Sequence, residues 1–546
     1  MATPNEATET IIKQQKELKE NLPFDDKQDF VYARRGLVKR MKPNIVYDSN
    51  GKVVWNNDEY NFLRRIESPD TGDDDAVVVI DPLTSLETGK AAFELYKSAR
   101  GDQKKVKAVI YTHSHVDHFG GVKGMVHQDE VDSGDVKIIA PEGFMEHAVA
   151  ENVYVGTAMS RRAAYMYGAA LKRGPKGQVG AGLGQTVSTG EVTLIAPTTI
   201  IKNTRESLSV SGITIEFMMA PDTEAPSEML IYFPQFKALC AAEDATHTFH
   251  NLLTLRGAVT IDLFGDKTNV VFASHHWPTW GAKEVVDFLT LQRDLYAYVH
   301  DQTLRLLNKG FNGPEIAEQM ILPPALEKAW SARGYYGSVN HNVKAVYQRY
   351  MGWFDGNPAH LWEHIPVERA KRYVELIGGV DKTIDAGKTA YDNGDFRWAA
   401  EILNHAVFTE LENARARALM ADTYEQLGYG SENGTWRDFF LSGTTELRTK
   451  NFGTPMATAS PNDKSAVLDV SVTDTKTLYR LWLSNGALVY TKAPQTTNAA
   501  VKLTGTSKAL TTLAGAGITI NGDTKVLEQL AELMDPSDPN FNIVTP

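Results

Sequence analysis

Short apolar runs, broken by glycine, proline and charged residues, fill the first part of the chain. Residues 106–111 form one such run, and 213–220, 236–242 and 270–274 repeat the pattern. Runs of this length bounded by turn residues predict buried strands. With the Gly/Pro punctuation that continues to about Pro278, they predict an α/β or α+β sandwich. The polar, charged residues 1–20 predict a helical arm ahead of it. The glycine cluster at 173–190 predicts a long irregular loop, set as a cover over a pocket. From about Ala282 the period changes. Val285, Val286, Phe288 and Leu289, then Leu291, Leu295 and Tyr298, fall at helical spacing, and helical patterns persist to about Leu427. After the glycine-rich 428–434, alternation over 466–472 and 478–483 predicts strands, and 511–514 and 524–534 predict helices. At 546 residues the chain exceeds one core, and the three textures divide it at 1–281, 282–427 and 428–546.

The chemistry concentrates in Thr112-His113-Ser114-His115-Val116-Asp117-His118-Phe119-Gly120-Gly121, directly after the 106–111 strand. Three imidazoles and a carboxylate leave a strand end together, and a turn is needed to converge them. His113 and His115 can reach one ion. Asp117 and His118 continue round the turn and can reach a second, about 3.5–4 Å away. Neutral imidazole and ionised carboxylate are good ligands for Zn²⁺.

Composition narrows the partners. A formal charge of −12 argues against a nucleic-acid substrate. The single cysteine, Cys240, excludes an internal disulfide framework and sits in an apolar run, so it reads as core. No stretch reaches bilayer-spanning length. The N-terminus has no apolar region of the signal-peptide kind. The compartment stays open: inside the cell, or periplasmic or secreted if a signal has been removed.

The His-x-His-x-Asp-His pattern resembles that of the metallo-β-lactamase-fold hydrolases, which implies an αββα sandwich with metals at one edge between the sheets. Where other members carry a Pro-Gly-His-Thr turn, this chain has Pro221-Asp222-Thr223-Glu224-Ala225-Pro226-Ser227-Glu228. The run 236–242 ends in Glu243-Asp244, and the run 270–274 in His275-His276. With Thr254-Leu255-Arg256-Gly257-Ala258, these segments resemble the zinc-dependent alkylsulfatases, nearest the inverting secondary-alkylsulfatase branch. The three-part layout fits that family: an α/β catalytic sandwich, an all-α dimerisation region implying a homodimer, and an α+β tail resembling the sterol-carrier-protein-like domain. Within the helical part, 386–400 resembles the first helix and turn of a tetratricopeptide unit and 416–424 the start of another. Two units make a helical hairpin or dimerisation layer, not a peptide-binding array.

Carried over by position, the resemblance implies two Zn²⁺ per chain. His113, His115 and Glu224 would hold one, Asp117, His118 and His275 the other, with Glu243 bridging. Each outlying ligand is the first choice over a neighbour that could replace it: Glu228 for Glu224, Asp244 for Glu243, His276 for His275. His247 and His250 read as surface or supporting residues. Two Zn²⁺ and three carboxylates leave a charge of +1, which a bridging hydroxide, the expected nucleophile, neutralises.

For a sulfate monoester on an alkyl chain, Arg256 offers a guanidinium fork and Asn251 a second donor. His341 is a candidate sulfate contact or proton donor to the leaving group, or equally the cap of a helix. Trp353, within 350–354, is a candidate for lining the alkyl channel. One departure stands out: only Val259, Thr260 and Ile261 separate Ala258 from Asp262, where the family carries a longer Trp-containing stretch. The expected reaction is hydrolysis of secondary alkyl sulfates with attack at carbon and inversion. Three alternatives stand beside it: primary esters such as dodecyl sulfate; a hydrolase of phosphate esters, thioesters or lactams; and a lipid or detergent carrier with a vestigial site.

Overall fold

After two N-terminal helices, Glu9–Asn21 and Gln28–Gly36, the first strands, β1 (Ile45–Tyr47) and β2 (Val53–Asn56), form a hairpin. The computed structural model describes residues 4–36, 43–60, 76–100, 105–250, 267–449, 465–474, 476–484, 487–492, 498–506, 509–510, 517–532 and 538–546. A four-stranded parallel sheet then runs in the order β3 (Ala76–Ile80), β4 (Lys105–Ile110), β5 (Lys137–Pro141) and β6 (Thr199–Ile201). A second sheet has the order β12-β11-β10-β9-β8-β7. Its strands are β7 (Ser207–Val210), β8 (Ile213–Met219), β9 (Met229–Phe233), β10 (Ala238–Cys240), β11 (Val270–Phe272) and β12 (Thr279–Trp280).

Both faces of these strands are apolar, because both are covered. Ala108, Ile110, Ile139 and Ile201 of the first sheet pack against Ile215, Phe217, Met229, Ile231 and Cys240 of the second. The register between β3 and β4 shifts at Val77/Val78, where Lys107 has no partner. This bulge lets Val106 and Val109 face outwards while Ala108 and Ile110 face the middle. The outer side of the first sheet carries Val109, Tyr111, Ile138 and Ala140 against Phe93, Val131 and Phe144 of flanking helices. The outer side of the second packs Leu230, Leu239 and Val271 against Val285, Phe288 and Leu289 of the helix Ala282–Leu307. These layers form the αββα sandwich of a mixed α/β chain.

The same 26-residue helix continues past the sheet. Its Leu295, Val299 and Leu306 build a second core with Ile316, Leu326, Val343 and Val346. Four of the helices that follow share a further core: Val380–Asp392, Phe396–Thr409, Ala414–Gly430 and Gly434–Thr449. They enclose Ile384, Leu403, Ala406, Met420 and Leu447. A Cβ on Gly387 would meet Leu403 at 2.6 Å, so only glycine permits this approach. The N-terminal arm is helical over Glu9–Asn21 and docks through Ile11 on Phe396, Tyr429 and Leu441.

The glycine-rich 428–434, read as a boundary, behaves otherwise. Gly428 and Gly430 close the helix Ala414–Gly430, where a Cβ would meet Leu441 at 3.0 Å and Ile11 at 3.1 Å respectively. They are packing glycines, and the chain continues into the next helix of the same bundle. The first compact unit comprises Met1–Phe452 together with Asn542–Pro546.

The second unit, Gly453–Phe541, holds a five-stranded sheet of order β15-β14-β13-β16-β17. The strands are β13 (Ala466–Val472), β14 (Thr477–Ser484), β15 (Ala487–Lys492), β16 (Val501–Gly505) and β17 (Thr519–Gly522), with a helix at Lys525–Glu532. Arg480 grips the buried Asp469 across β13 and β14 with two hydrogen bonds of 2.7 and 2.8 Å. The helix expected at 511–514 lies outside the described residues. Among the described residues, no helix is long and apolar enough to cross a membrane.

Candidate metal centre

The loops that leave the carboxyl ends of β3, β4, β10 and β11, and the turn between β8 and β9, meet at one edge of the sandwich. In open sheets this is where ligand sites form. Backbone ties close the edge. His113 and Glu228 form an isolated antiparallel bridge, and Met229 N–H donates to the Thr112 carbonyl at 2.9 Å. Several residues here hold positive φ without being glycine: Asp81 (52°), Leu83 (68°), Asp222 (66°), Ala242 (46°) and His276 (68°). Such backbone persists only where its surroundings dictate it, and each of these positions turns a strand end or loop towards the site.

Two groups of donors result. In the first, His113 Nε2 lies 3.1 Å from His115 Nδ1, 3.3 Å from Glu224 Oε2 and 3.7 Å from Glu243 Oε2, while His115 Nδ1 lies 2.9 Å from Glu224 Oε2. In the second, Asp117 Oδ2 lies 3.2 Å from His275 Nε2 and 3.4 Å from His118 Nε2. Glu243 Oε1 lies 2.7 Å from His275 Nε2 and 3.7 Å from His118 Nε2. Glu243 belongs to both groups, one oxygen to each. Ligands at Zn²⁺ distances on a tetrahedron lie about 3.3–3.6 Å apart. The separations here bracket that value, and the donor types are those zinc takes, so the residues fit a dinuclear zinc centre.

Electrostatics supports the same fit. Burial, reinforced by the neighbouring His118 and His115, keeps His113 well below its ordinary value and neutral. At Asp117 burial is outweighed by His118 and His275, which hold the carboxyl ionised. At Glu243 it is outweighed by His250 and His275. Burial also opposes charge on His115 and His275, yet surrounding carboxylates lift both to about 10. The pocket's potential is therefore negative, and a dication would take the place of those protons.

Of the paired alternatives, Glu224, Glu243 and His275 join the donor groups. Glu228 instead builds the turn that presents Glu224. Its Oε2 accepts hydrogen bonds from the backbone N–H of Glu224 (2.8 Å) and Ala225 (2.9 Å) and from Thr223 Oγ1 (2.9 Å). Burial raises Asp244 well above the carboxylate range and lowers His276 to about 3, and neither residue falls in a donor group.

Sequence reasoning missed Asp81 and Tyr167 at this edge, and it read His250 only as a surface or supporting residue. Asp81 receives hydrogen bonds from Thr112 N–H (2.9 Å), Thr112 Oγ1 (2.8 Å) and Ser274 Oγ (2.6 Å), and lies 2.9 Å from His118 Nδ1. The apolar 76–80 run ending in Asp-Pro was its available signal. Tyr167 hydrogen-bonds Tyr336 through their hydroxyls at 2.8 Å. Burial and then the nearby Asp117 carboxylate push the Tyr167 phenol up, so it stays protonated. His250 touches Glu243, Nε2 to Oε2 at 3.3 Å.

A cavity of about 560 Å³ opens from Asp117, His118 and His275. Val46, Trp55, Leu83, Ala92, Leu95 and Leu183 give it apolar walls. Residues 181, 183, 184 and 186–188 of the glycine-rich loop line it, as a cover should. Trp353 does not line it and is 78% exposed. The helix Val339–Met351 carries Trp353 just beyond its end, on a face turned to solvent. His341 does not line it either. Its N–H donates to the capping Ser338 Oγ at 3.1 Å, and its Nδ1 lies 3.4 Å from the Trp436 indole nitrogen. Asn251 and Arg256 lie outside the described residues, as does the short 259–261 stretch.

Comparison with known proteins bears on this arrangement. Residues 71–201 match the metallo-beta-lactamase superfamily, 312–450 the family alkyl sulfatase dimerisation, and 442–546 the family alkyl sulfatase C-terminal. A linear primary-alkylsulfatase of a Pseudomonas species is 45% identical over 100% of this chain and 94% of its own length. An (R)-specific secondary-alkylsulfatase, also from Pseudomonas, is 37% identical over 97% and 93%. The solved structure of the stereoselective inverting sec-alkylsulfatase Pisa1 from Pseudomonas superimposes with a TM-score of 0.91 at 34% identity, covering 100% of this chain and 99% of that one. The alignment with the primary enzyme extends over 633 positions, so that relative carries internal residues this chain lacks. The chain belongs to the alkylsulfatase family, with its catalytic sandwich drawn from the metallo-β-lactamase superfamily.

Proposed function

We propose that this protein hydrolyses alkyl sulfate monoesters to an alcohol and inorganic sulfate at a dinuclear zinc centre. The observation that carries the reading is the pair of donor groups sharing Glu243 at the mouth of an apolar cavity. His113, His115 and Glu224 would hold one zinc, and Asp117, His118 and His275 the other. Zinc bound there would supply Lewis acidity and water that ionises near neutral pH.

The chain's own residues do the rest. Asp81 and Glu228 hold His118 and the Glu224 turn in place. The cavity walls take the alkyl chain and exclude water from it. Arg256 and Asn251 are assigned to the sulfate, as the family resemblance implies. The Tyr167 phenol, protonated and beside Asp117, is a donor for an anionic oxygen. Glu224, where other fold members place histidine, lowers the positive charge of the centre and disfavours phosphate esters. In this reading residues 1–281 carry the chemistry. The helical middle, matching the dimerisation family, joins two copies.

Attack at carbon, breaking C–O, fits a site that neutralises departing sulfate. Secondary esters with inversion are the reading of the sequence motifs. Linear primary esters are the second reading, and the 45% identity to a linear primary-alkylsulfatase favours them. One experiment separates these. Zinc-loaded protein is given dodecyl sulfate and 2-octyl sulfate in ¹⁸O-labelled water, and products are read by mass spectrometry. Label in the alcohol supports attack at carbon, and the faster ester names the substrate class. Label in sulfate moves attack to sulfur. No turnover of either ester by the zinc-loaded chain rejects the proposal.

A further inference from the structure

A carboxylate shared between two donor groups is useful only at one rotation about its own axis. Glu243 points Oε2 to His113 and Oε1 to His275 and His118. A third side chain reaches it from outside both groups. His250 is 3% exposed, and its Nε2 lies 3.3 Å from Glu243 Oε2. His250 is itself held from the helical layer. Its carbonyl accepts from Asn342 Nδ2 at 2.9 Å, its N–H donates to the Tyr296 hydroxyl at 3.2 Å, and its ring leans on Tyr336 at 4.8 Å. The preceding residue is fixed too: Phe249 N–H donates to the Arg333 carbonyl, and Gly337 N–H to the Phe249 carbonyl, at 2.8 and 2.9 Å. Asn342 belongs to the helix Val339–Met351 and Tyr296 to Ala282–Leu307.

We propose that His250 is a positioning residue that donates from Nε2 to Glu243 Oε2 and locks the carboxylate at the rotation in which it spans both donor groups. The helical layer thereby sets the geometry of a ligand that the sandwich supplies. This rests on the assignment of Glu243 as the shared ligand. Partners that hydrogen-bond a metal's ligands tune its affinity about 10–100-fold when removed.

The test uses the whole chain, stripped of metal and titrated with Zn²⁺ against a chromophoric chelator, with visible spectra of the Co²⁺-loaded protein as a second readout. His250→Gln keeps an amide donor at comparable reach. His250→Asn is too short to touch Glu243, and His250→Leu removes the donor. Wild type should take up two ions per chain. Asn and Leu variants should bind one of them about 10–100-fold more weakly, with an altered Co²⁺ spectrum, and Gln should restore both. A shortfall in Asn that Gln repairs cannot come from a general loss of folding. Asn and Leu variants with wild-type affinity and spectrum overturn the role of His250. A wild type that takes up no zinc overturns the site assignment beneath it.

Discussion

Oδ2 of Asp81 lies 2.9 Å from Nδ1 of His118, on the side of the ring away from the donor group. The same carboxylate takes Thr112 N–H, Thr112 Oγ1 and Ser274 Oγ, so it joins the ends of β3, β4 and β11 as well as orienting one imidazole. Burial works against charge on His118, but Asp117 and Asp81 together hold it well above its ordinary value. Asp81→Ala leaves these donors without an acceptor. Zinc affinity at the Asp117 group should fall about 10–100-fold, measured by chelator competition, and sulfate-ester turnover should fall with it. Unchanged affinity would remove Asp81 from the centre.

A second carboxylate, Asp438, is fully buried on the helix Gly434–Thr449, and neither oxygen has a hydrogen-bond partner among the described residues. Burial raises it to about 8, against the opposing charges of Arg437 and Arg173. The folded chain therefore keeps a proton that the unfolded chain releases above the ordinary aspartate value near 3.9. The resulting stability is full below about pH 4 and is lost as pH rises towards about 8. Asp438→Asn should raise the melting temperature most at pH 8 and above, and least at pH 4. Equal shifts at both ends would contradict a buried neutral acid.

The cavity makes a prediction about chain length. Ala92 lines it from the helix Leu86–Arg100. Ala92→Phe would fill part of the about 560 Å³. Turnover of dodecyl sulfate should drop at least tenfold in kcat/KM, while a short ester such as hexyl sulfate loses little. Equal losses on both would place the alkyl chain elsewhere.

Aromatic and aliphatic side chains stand uncovered in the helical region. Trp362 is 96% exposed and Leu376 82%, both within the segment that matches the dimerisation family. Exposed apolar surface of this kind marks association sites, and tryptophan is over-represented at their centres. The double change Trp362→Lys with Leu376→Lys should shift the chain from dimer to monomer in light-scattering chromatography at micromolar concentration. A dimer that survives would place the interface on another face.

The sequence was most legible where neighbours in space are neighbours in the chain. His113 to His118 lie in one turn, and an apolar run ending in a carboxylate or histidine marked Glu243 and His275. The strands of the sandwich could be read for the same reason, since each is a short apolar run between breaks. Contacts between distant segments left no such trace. Asp81 and Tyr167 reach the site across gaps of more than thirty residues, and the hold of Tyr296 and Asn342 on the His250 backbone spans longer ones. Trp353 shows the reverse error: a tryptophan near a candidate site histidine looks like a wall of the channel, but its helix points it to solvent. The 428–434 glycines looked like a linker because composition cannot tell close helix packing from flexibility.

Glu446 offers a last consequence. Buried on the helix Gly434–Thr449, it accepts from the N–H groups of Ile543 and Val544 and from Thr545 Oγ1, and the Tyr165 hydroxyl and Arg161 reach it as well. Residues 542–546 thus return to the unit that the chain left at Phe452. In covalent terms the five-stranded unit is a guest inserted into its host rather than an appendage at its end. Removing it cleanly means rejoining residues on either side of 453–541. A simple truncation would take the anchoring segment with it and leave the buried Glu446 carboxylate without those three donors.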